Sequence, residues 1–300
     1  MCRFTVLLVG QYRLVRHILS VYHSEGTTVY LIREPAADAG YEAGAGDGAS
    51  QTAGPSAGLL LTEPIRGLVD LAALTLAAPW LATAPRGDGH GVLVWPGLLA
   101  SDTSTAVLRQ FLRLLGYEVR GWDLGRNRGP TDAVLDGLPR VLMAHAKRTG
   151  GPVSLVGWSL GGIYAREMAR DHPELVRQVI TLGSPFTQTD PRQSHAEYPY
   201  QRLSHLHAPA ARRARKQIGK PIGAPSTSVY SRWDGIVSWR TCIEPETALH
   251  QNVEVRCSHL GFGVDPATLW LVADRLAAPP GQRAPFRPPP LLRPLYPSRP

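Results

Sequence analysis

The stretch that decides the fold is GPVSLVGWSLGGIY, residues 151–164. A short apolar run leads into GWSLG at 157–161, and apolar residues at helical spacing follow. This order of strand, sharp turn and helix is typical of a nucleophile elbow, which exposes a serine hydroxyl at a strand end. Ser159 is therefore the candidate nucleophile. The motif alone also fits a glycine-rich turn without chemistry, and the segments on both sides favour the elbow.

Strand and helix patterns alternate around this elbow. They predict a mostly parallel sheet with flanking helices, since the connections are long enough for helical crossovers. In such a sheet the site lies beyond the carboxyl ends of the strands, where Ser159 falls. Strands are predicted at 91–95, 118–122, 153–156, 176–182, 226–231 and 253–256, and helices at 103–115, 131–148, 160–170 and 265–276.

A serine nucleophile needs a base to take its proton and an acid to orient that base. Asp234 and His259 follow Ser159 in the chain order serine, acid, histidine, and each lies just past a predicted strand. His250 is the nearest rival base and Asp190 the rival acid. An aspartate followed by glycine is also ordinary turn chemistry. The position of Asp234 after a late strand favours the catalytic interpretation.

Backbone N–H groups are expected to bind the oxyanion, one from Leu160 and one from Leu98 in the loop after the strand at 91–95. Trp95, Trp158 and Trp233 fall at strand ends or in loops near the site, where an aromatic lining would suit an apolar acyl group. Core packing explains these tryptophans almost as well.

Cys242 and Cys257 bracket the segment between the candidate acid and base. A disulfide between them would hold the two loops in register, and two buried thiols are the alternative. We favour the disulfide. No cysteine or histidine spacing predicts a metal site, and the expected chemistry needs no organic cofactor.

The net charge of +8 over 300 residues comes mainly from arginine. Without a recognised nucleic-acid module, this charge favours a solvated basic surface, and we expect no nucleic-acid partner. The N-terminus lacks a clear signal-peptide pattern, so a cytoplasmic or membrane-associated protein is expected. The sequence leaves the oligomeric state open.

Composition divides the chain into three parts. Residues 1–57 are a low-complexity extension expected to be disordered, 58–277 the folded domain with a small cap inserted at 184–225, and 278–300 a Pro/Arg-rich tail expected to be disordered. The apolar segment 59–84 favours a helix packed on the domain over a membrane anchor. Peripheral membrane contact through this segment or the basic cap helix at 209–218 is a minor alternative.

Four motifs in order carry a family resemblance: GWSLGG at 157–162, TLGSPF at 181–186, YSRWDGIV at 230–237 and CSHLGFG at 257–263. Over about residues 60–277 the chain resembles the bacterial serine esterase/lipase branch of the α/β-hydrolase superfamily. The resemblance implies Ser159 as nucleophile, Asp234 as acid and His259 as base. Many relatives have His-Gly where this chain has Pro96-Gly97.

The expected activity is hydrolysis of apolar carboxylic esters, small-molecule or lipid, through an acyl-enzyme. The sequence leaves two alternatives open. An acyltransferase would use the same three side chains, and a lipid- or membrane-binding protein would keep the fold without catalysis.

Overall fold

In the computed structural model, residues 53–214, 218–279 and 284–297 are described. Within these ranges six strands form one sheet in the order β2-β1-β3-β4-β5-β6, and every neighbouring pair is parallel. The predicted parallel α/β architecture is therefore confirmed. The strands are β1 (Gly91–Trp95), β2 (Glu118–Arg120), β3 (Val153–Trp158), β4 (Val176–Leu182), β5 (Ser226–Ser231) and β6 (His250–Val255).

The helices lie on both faces of the sheet because its central strands are apolar on both sides. In β1, Val92 and Val94 pack in one core cluster, which includes α2 and α7, while Leu93 and Trp95 pack in a second with α3 and α4. The helices are α1 (Ala57–Leu81), α2 (Ala106–Leu114), α3 (Asp132–Thr149), α4 (Leu160–Asp171), α5 (Glu197–Arg202), α6 (Pro209–Ala214) and α7 (Pro266–Ala277).

Helix α1 confirms the helix predicted at 59–84. It begins after Ser56, whose hydroxyl accepts a hydrogen bond from the Leu59 amide (3.3 Å). It packs beside α7 and buries Leu74 and Leu81, while Leu76 and several other apolar side chains remain exposed. None of the described helices combines the length and the apolar character needed to cross a membrane. Peripheral membrane contact stays a prediction.

The C-terminal tail differs from its prediction. Within 284–297, Phe286, Leu292 and Tyr296 are buried and join the core cluster that contains Trp270. The Tyr296 hydroxyl donates to the Ala267 carbonyl (2.7 Å). The composition suggested no packed core, but three large apolar side chains among the prolines are enough to dock this segment. The expectation for 1–52 lies outside the described residues.

Candidate active site

Ser159 occupies a strained turn between β3 and α4. Its backbone dihedral angles, φ 53° and ψ −121°, define a conformation that residues other than glycine rarely adopt. Two glycines make the turn sterically possible. A Cβ at Gly157 would lie 2.3 Å from the Gly162 Cα, and one at Gly161 would lie 2.4 Å from the Trp95 carbonyl oxygen. Ser159 thus has the backbone geometry of a nucleophile elbow.

His259 and Asp234 form a buried pair. The His259 Nδ1 atom lies 2.6 Å from Asp234 Oδ2, and both side chains are almost fully buried. The other carboxylate oxygen, Oδ1, accepts from the backbone N–H groups of Ile236 (2.8 Å) and Val237 (2.7 Å). With these donors the Asp234 side chain is fixed, and it orients the imidazole.

The histidine loop is fastened to the elbow through Trp158, the residue before Ser159. Its indole Nε1 donates to the His259 carbonyl oxygen (3.1 Å), and the two rings lie 6.4 Å apart between centroids. Ser159, Asp234 and His259 follow the carboxyl ends of β3, β5 and β6. The three residues therefore stand at one edge of the sheet, as the sequence predicts.

Electrostatics around His259 favour its protonated form. Burial of the imidazole acts to lower its pKa, but the Asp234 carboxylate, through its charge and its hydrogen bond, and the Glu63 carboxylate outweigh burial. The pKa of His259 is therefore raised above its ordinary value.

The rival residues occupy different environments. His250 lies at the start of β6, away from the carboxyl edge, and its Nε2 is 2.9 Å from the Ile222 carbonyl oxygen. Asp190 caps a short turn and pairs with Arg192, whose hydrogen bonds lower the pKa of that carboxyl to about 2. Neither has a contact with His259 among the described interactions.

The loop after β1 is held by Asn127, a residue the sequence did not single out. Its Nδ2 donates to the Pro96 carbonyl (3.0 Å), and its own carbonyl accepts from the Leu99 amide (2.6 Å). Leu99 has a positive φ of 62°. These bonds set the course of the backbone at Leu98. Leu160 is the first residue of α4, so its amide has no carbonyl partner within the helix.

A cavity of about 910 Å³ opens beside the elbow, and Leu98, Ser159 and Leu160 line it. Much of its wall is apolar, from α3, α4 and the segment 184–225 that was predicted as a cap. Four carboxylates also line it, and the described lining residues include no lysine or arginine. The apolar lining residues include Leu135, Leu138, Ile163, Met168 and Phe186, and the acidic ones are Glu167, Asp171, Asp190 and Glu197.

The aromatic lining expected from three tryptophans is not found at this cavity. Trp95 is fully buried in the core, because its position on β1 directs it into the cluster with α3 and α4. Trp233 is 54% exposed. Trp158 packs beside His259. The described residues lining the cavity are instead aliphatic for the most part, with Phe186, Tyr164 and Tyr200 as the aromatic members.

The prediction of a disulfide between Cys242 and Cys257 is wrong. Cys242 and Cys257 are both buried and free. The Cys242 thiol donates to the Ser238 carbonyl (3.8 Å), whereas Cys257 Sγ lies 3.9 Å from Thr268 Oγ1 on α7. The two side chains have separate neighbours, and burial raises the pKa of both thiols.

The parallel sheet, the strained serine turn and the buried histidine–aspartate pair define an α/β-hydrolase fold, which confirms the fold predicted from the sequence. Solved structures agree with this conclusion. Aspergillus fumigatus lipase B superposes with a TM-score of 0.52 at 17% identity, over 67% of this chain and 56% of that one. A metagenome-derived lipolytic enzyme from the LipS and LipT pair gives 0.50 at 14% identity, over 64% and 93%.

Among curated proteins the chain is similar to esterases. It is 33% identical over 120 residues to the pimeloyl-[acyl-carrier protein] methyl ester esterase of Aromatoleum aromaticum, covering 38% of this chain. The enzyme of the same name from Nitrosomonas europaea is 34% identical over 91 residues, 30% of this chain. The chain spans 41% and 32% of the length of these two relatives. No protein-family model matches it.

Proposed function

We propose that the chain is a serine carboxylester hydrolase with Ser159 as nucleophile, His259 as base and Asp234 as the acid that orients His259. The 2.6 Å pair of His259 and Asp234, joined through Trp158 to the strained turn of Ser159, carries the proposal. Similarity to named esterases supports the same class of reaction.

The proposed reaction has two steps. Ser159 Oγ attacks the ester carbonyl carbon while His259 takes its proton, and the amides of Leu98 and Leu160 bind the oxyanion. The alcohol then leaves with the proton held by His259, and an acyl-enzyme remains. Water attacks this ester bond with His259 again as base, and the acid is released as Ser159 recovers its proton. Asp234 stabilises the imidazolium in both steps.

The cavity lining supports a neutral, apolar acyl group as substrate. Aliphatic side chains favour a hydrocarbon chain over a charged acyl group. Hydrolysis of p-nitrophenyl butyrate is expected to exceed that of the p-nitrophenyl hemisuccinate by at least about tenfold. Because the similar esterases are named for methyl esters, fatty-acid methyl esters belong in the same substrate series.

The direct test compares the wild type with Ser159→Ala on p-nitrophenyl esters from acetate to palmitate, together with labelling by a fluorophosphonate. Only the protein that retains Ser159 should turn over esters and gain the mass of the phosphonyl group. Ser154→Ala is the matched control, since Ser154 is a buried serine on β3, the strand that leads to Ser159. Equal activity in the wild type and Ser159→Ala, or no labelling of Ser159, would overturn the proposal.

A further inference from the structure

Helix α1 reaches two loops of the candidate site. The acid loop follows β5 and carries Asp234, and the base loop follows β6 and carries His259. The buried Glu63 carboxylate accepts three backbone hydrogen bonds there. Its Oε1 accepts from Gly235 (2.5 Å) and from His259 (3.1 Å), and its Oε2 accepts from Leu260 (3.3 Å). One side chain therefore bonds to the residue after the candidate acid and to the candidate base itself.

Two further side chains of α1 extend this contact. Arg66 donates to Glu63 Oε1 (3.0 Å) and to the Trp233 carbonyl oxygen, so it also holds the acid loop. Asp70, two turns along the helix from Glu63, accepts from the Ser258 amide (3.0 Å) and hydroxyl (2.6 Å). The backbone from 258 to 260 is thus bonded at each residue to a carboxylate of α1.

Both loops are shaped for close approach by this helix. A Cβ at Gly235 would lie 2.4 Å from the Leu59 carbonyl oxygen of α1. A Cβ at Gly261 would lie 1.9 Å from the Asp70 carboxylate. A larger residue at Gly235 would push the helix backbone away, and one at Gly261 would displace the Asp70 carboxylate, so both glycines fit the presence of α1.

We propose that Glu63 is a positioning residue that fixes the acid loop and the base loop relative to each other, so that Asp234 meets His259. This inference rests on the proposed function. Glu63 acts through the backbone and has no contact with the reacting atoms. Its loss would leave three backbone N–H groups without their acceptor and free the two loops to move apart.

The charge of Glu63 also reaches the imidazole. The groups that face His259 are the carboxylate of Asp234, the carboxylate of Glu63 with the Arg66 cation beside it, and the uncharged rings of Trp158 and Phe262. Since Glu63 is one of the groups that raise the pKa of His259, neutralising it should lower that pKa, whereas a role confined to stability would leave it unchanged.

The test is Glu63→Gln, with Glu244→Gln as the matched control, because Glu244 is also buried and ion-paired but bonds to Arg166. For Glu63→Gln we expect kcat on p-nitrophenyl butyrate to fall about 10- to 100-fold with little change in KM, and the acid limb of the pH profile to move to lower pH. The control variant, Glu244→Gln, should lose stability, but the acid limb of its pH profile should stay at the wild-type pH. An unchanged kcat and limb in folded Glu63→Gln would overturn the inference.

Two further measurements complete the test, and the first keeps the inference separate from the proposed function. NMR titration of the His259 imidazole in a Ser159→Ala background reports the effect of Glu63 without any turnover, so it remains decisive if no ester is hydrolysed. If Glu63→Gln does not fold, Glu63→Asp keeps the charge but withdraws the carboxylate from the three backbone N–H groups. The inference then requires kcat on p-nitrophenyl butyrate to fall with little change in KM, and an unchanged kcat in the folded variant would contradict it.

Discussion

The Nδ1 atom of His259 lies 2.6 Å from Oδ2 of Asp234, within a pair that is almost fully closed to solvent. This bond selects the imidazole tautomer that leaves Nε2 free to accept a proton. Asp234→Asn should therefore lower kcat by about 10³- to 10⁴-fold while KM changes little. Steady-state kinetics checks this, and an unfolding curve confirms that the variant is folded. A loss below tenfold would exclude Asp234 as the acid.

The raised pKa of His259 predicts the pH dependence of activity. In the proposed reaction His259 must be neutral to act as the base, so kcat/KM should fall on the acid side with a midpoint above 6.5, the ordinary histidine value. The stability effect has the opposite sense. A raised folded-state pKa stabilises the protein at pH below the unfolded value, and this contribution disappears as the pH rises through the folded one. Asp234→Asn should remove both the raised activity midpoint and the pH-dependent stabilisation. A midpoint at or below 6.5 in the wild type would contradict the prediction.

Asn127 predicts a separate effect on the loop after β1. Asn127→Ala removes the donor to Pro96 and the acceptor for the Gly129 amide (3.1 Å), so the backbone at Leu98 loses its support. We expect kcat to fall about 10- to 100-fold with a loss of about 1–3 kcal/mol in the free energy of unfolding. Kinetics and urea unfolding measure the two quantities. A stability loss with unchanged kcat would show that this loop has no part in catalysis.

Arg166 and Glu244 form a bidentate ion pair in the interior, with distances of 2.7 and 3.0 Å. Glu244→Ala would leave Arg166 as a buried unpaired charge and should cost about 3–5 kcal/mol in urea unfolding. Burial acts to raise the pKa of Glu244, but the bonds and charge of Arg166 outweigh it and the pKa is lowered. This stabilisation is therefore present above the unfolded pKa and is lost as the pH falls through the folded one. Equal stability of wild type and variant would refute it.

The two buried thiols predict the outcome of thiol titration. In the native protein Cys242 and Cys257 should react very slowly with a thiol reagent, because both are buried and their pKa values are raised. Both should react at once in denaturant without reductant. Peptide mapping of alkylated protein assigns each site, and a peptide pair linked through these cysteines would contradict the free state.

The sequence predicts the parallel sheet and the positions of its strands along the chain well, because hydrophobic runs and turn residues are local signals. β4 and β5 lie at their predicted bounds, and Ser159, Asp234 and His259 each follow a strand of one parallel sheet. Cys242 and Cys257 show the limit. Their spacing says nothing about where each side chain points.

Glu63 and Asn127 are two residues whose structural roles the sequence did not predict. Their roles depend on backbone groups far along the chain, and every residue type except proline can supply a backbone N–H. No local pattern marks such an acceptor. The packing of the C-terminal tail was missed for a similar reason. Phe286 and Tyr296 are only two residues in a segment whose composition is dominated by proline and arginine.

The bond between Glu63 and the His259 amide joins residues 196 positions apart. During synthesis α1 leaves the ribosome first, and the loop it must hold emerges last of all the parts of the site. A nascent chain that ends before residue 259 lacks the candidate base and at least two of the three backbone amides that bond to Glu63. The proposed reaction can therefore begin only after nearly all of the α/β-hydrolase fold has been synthesised.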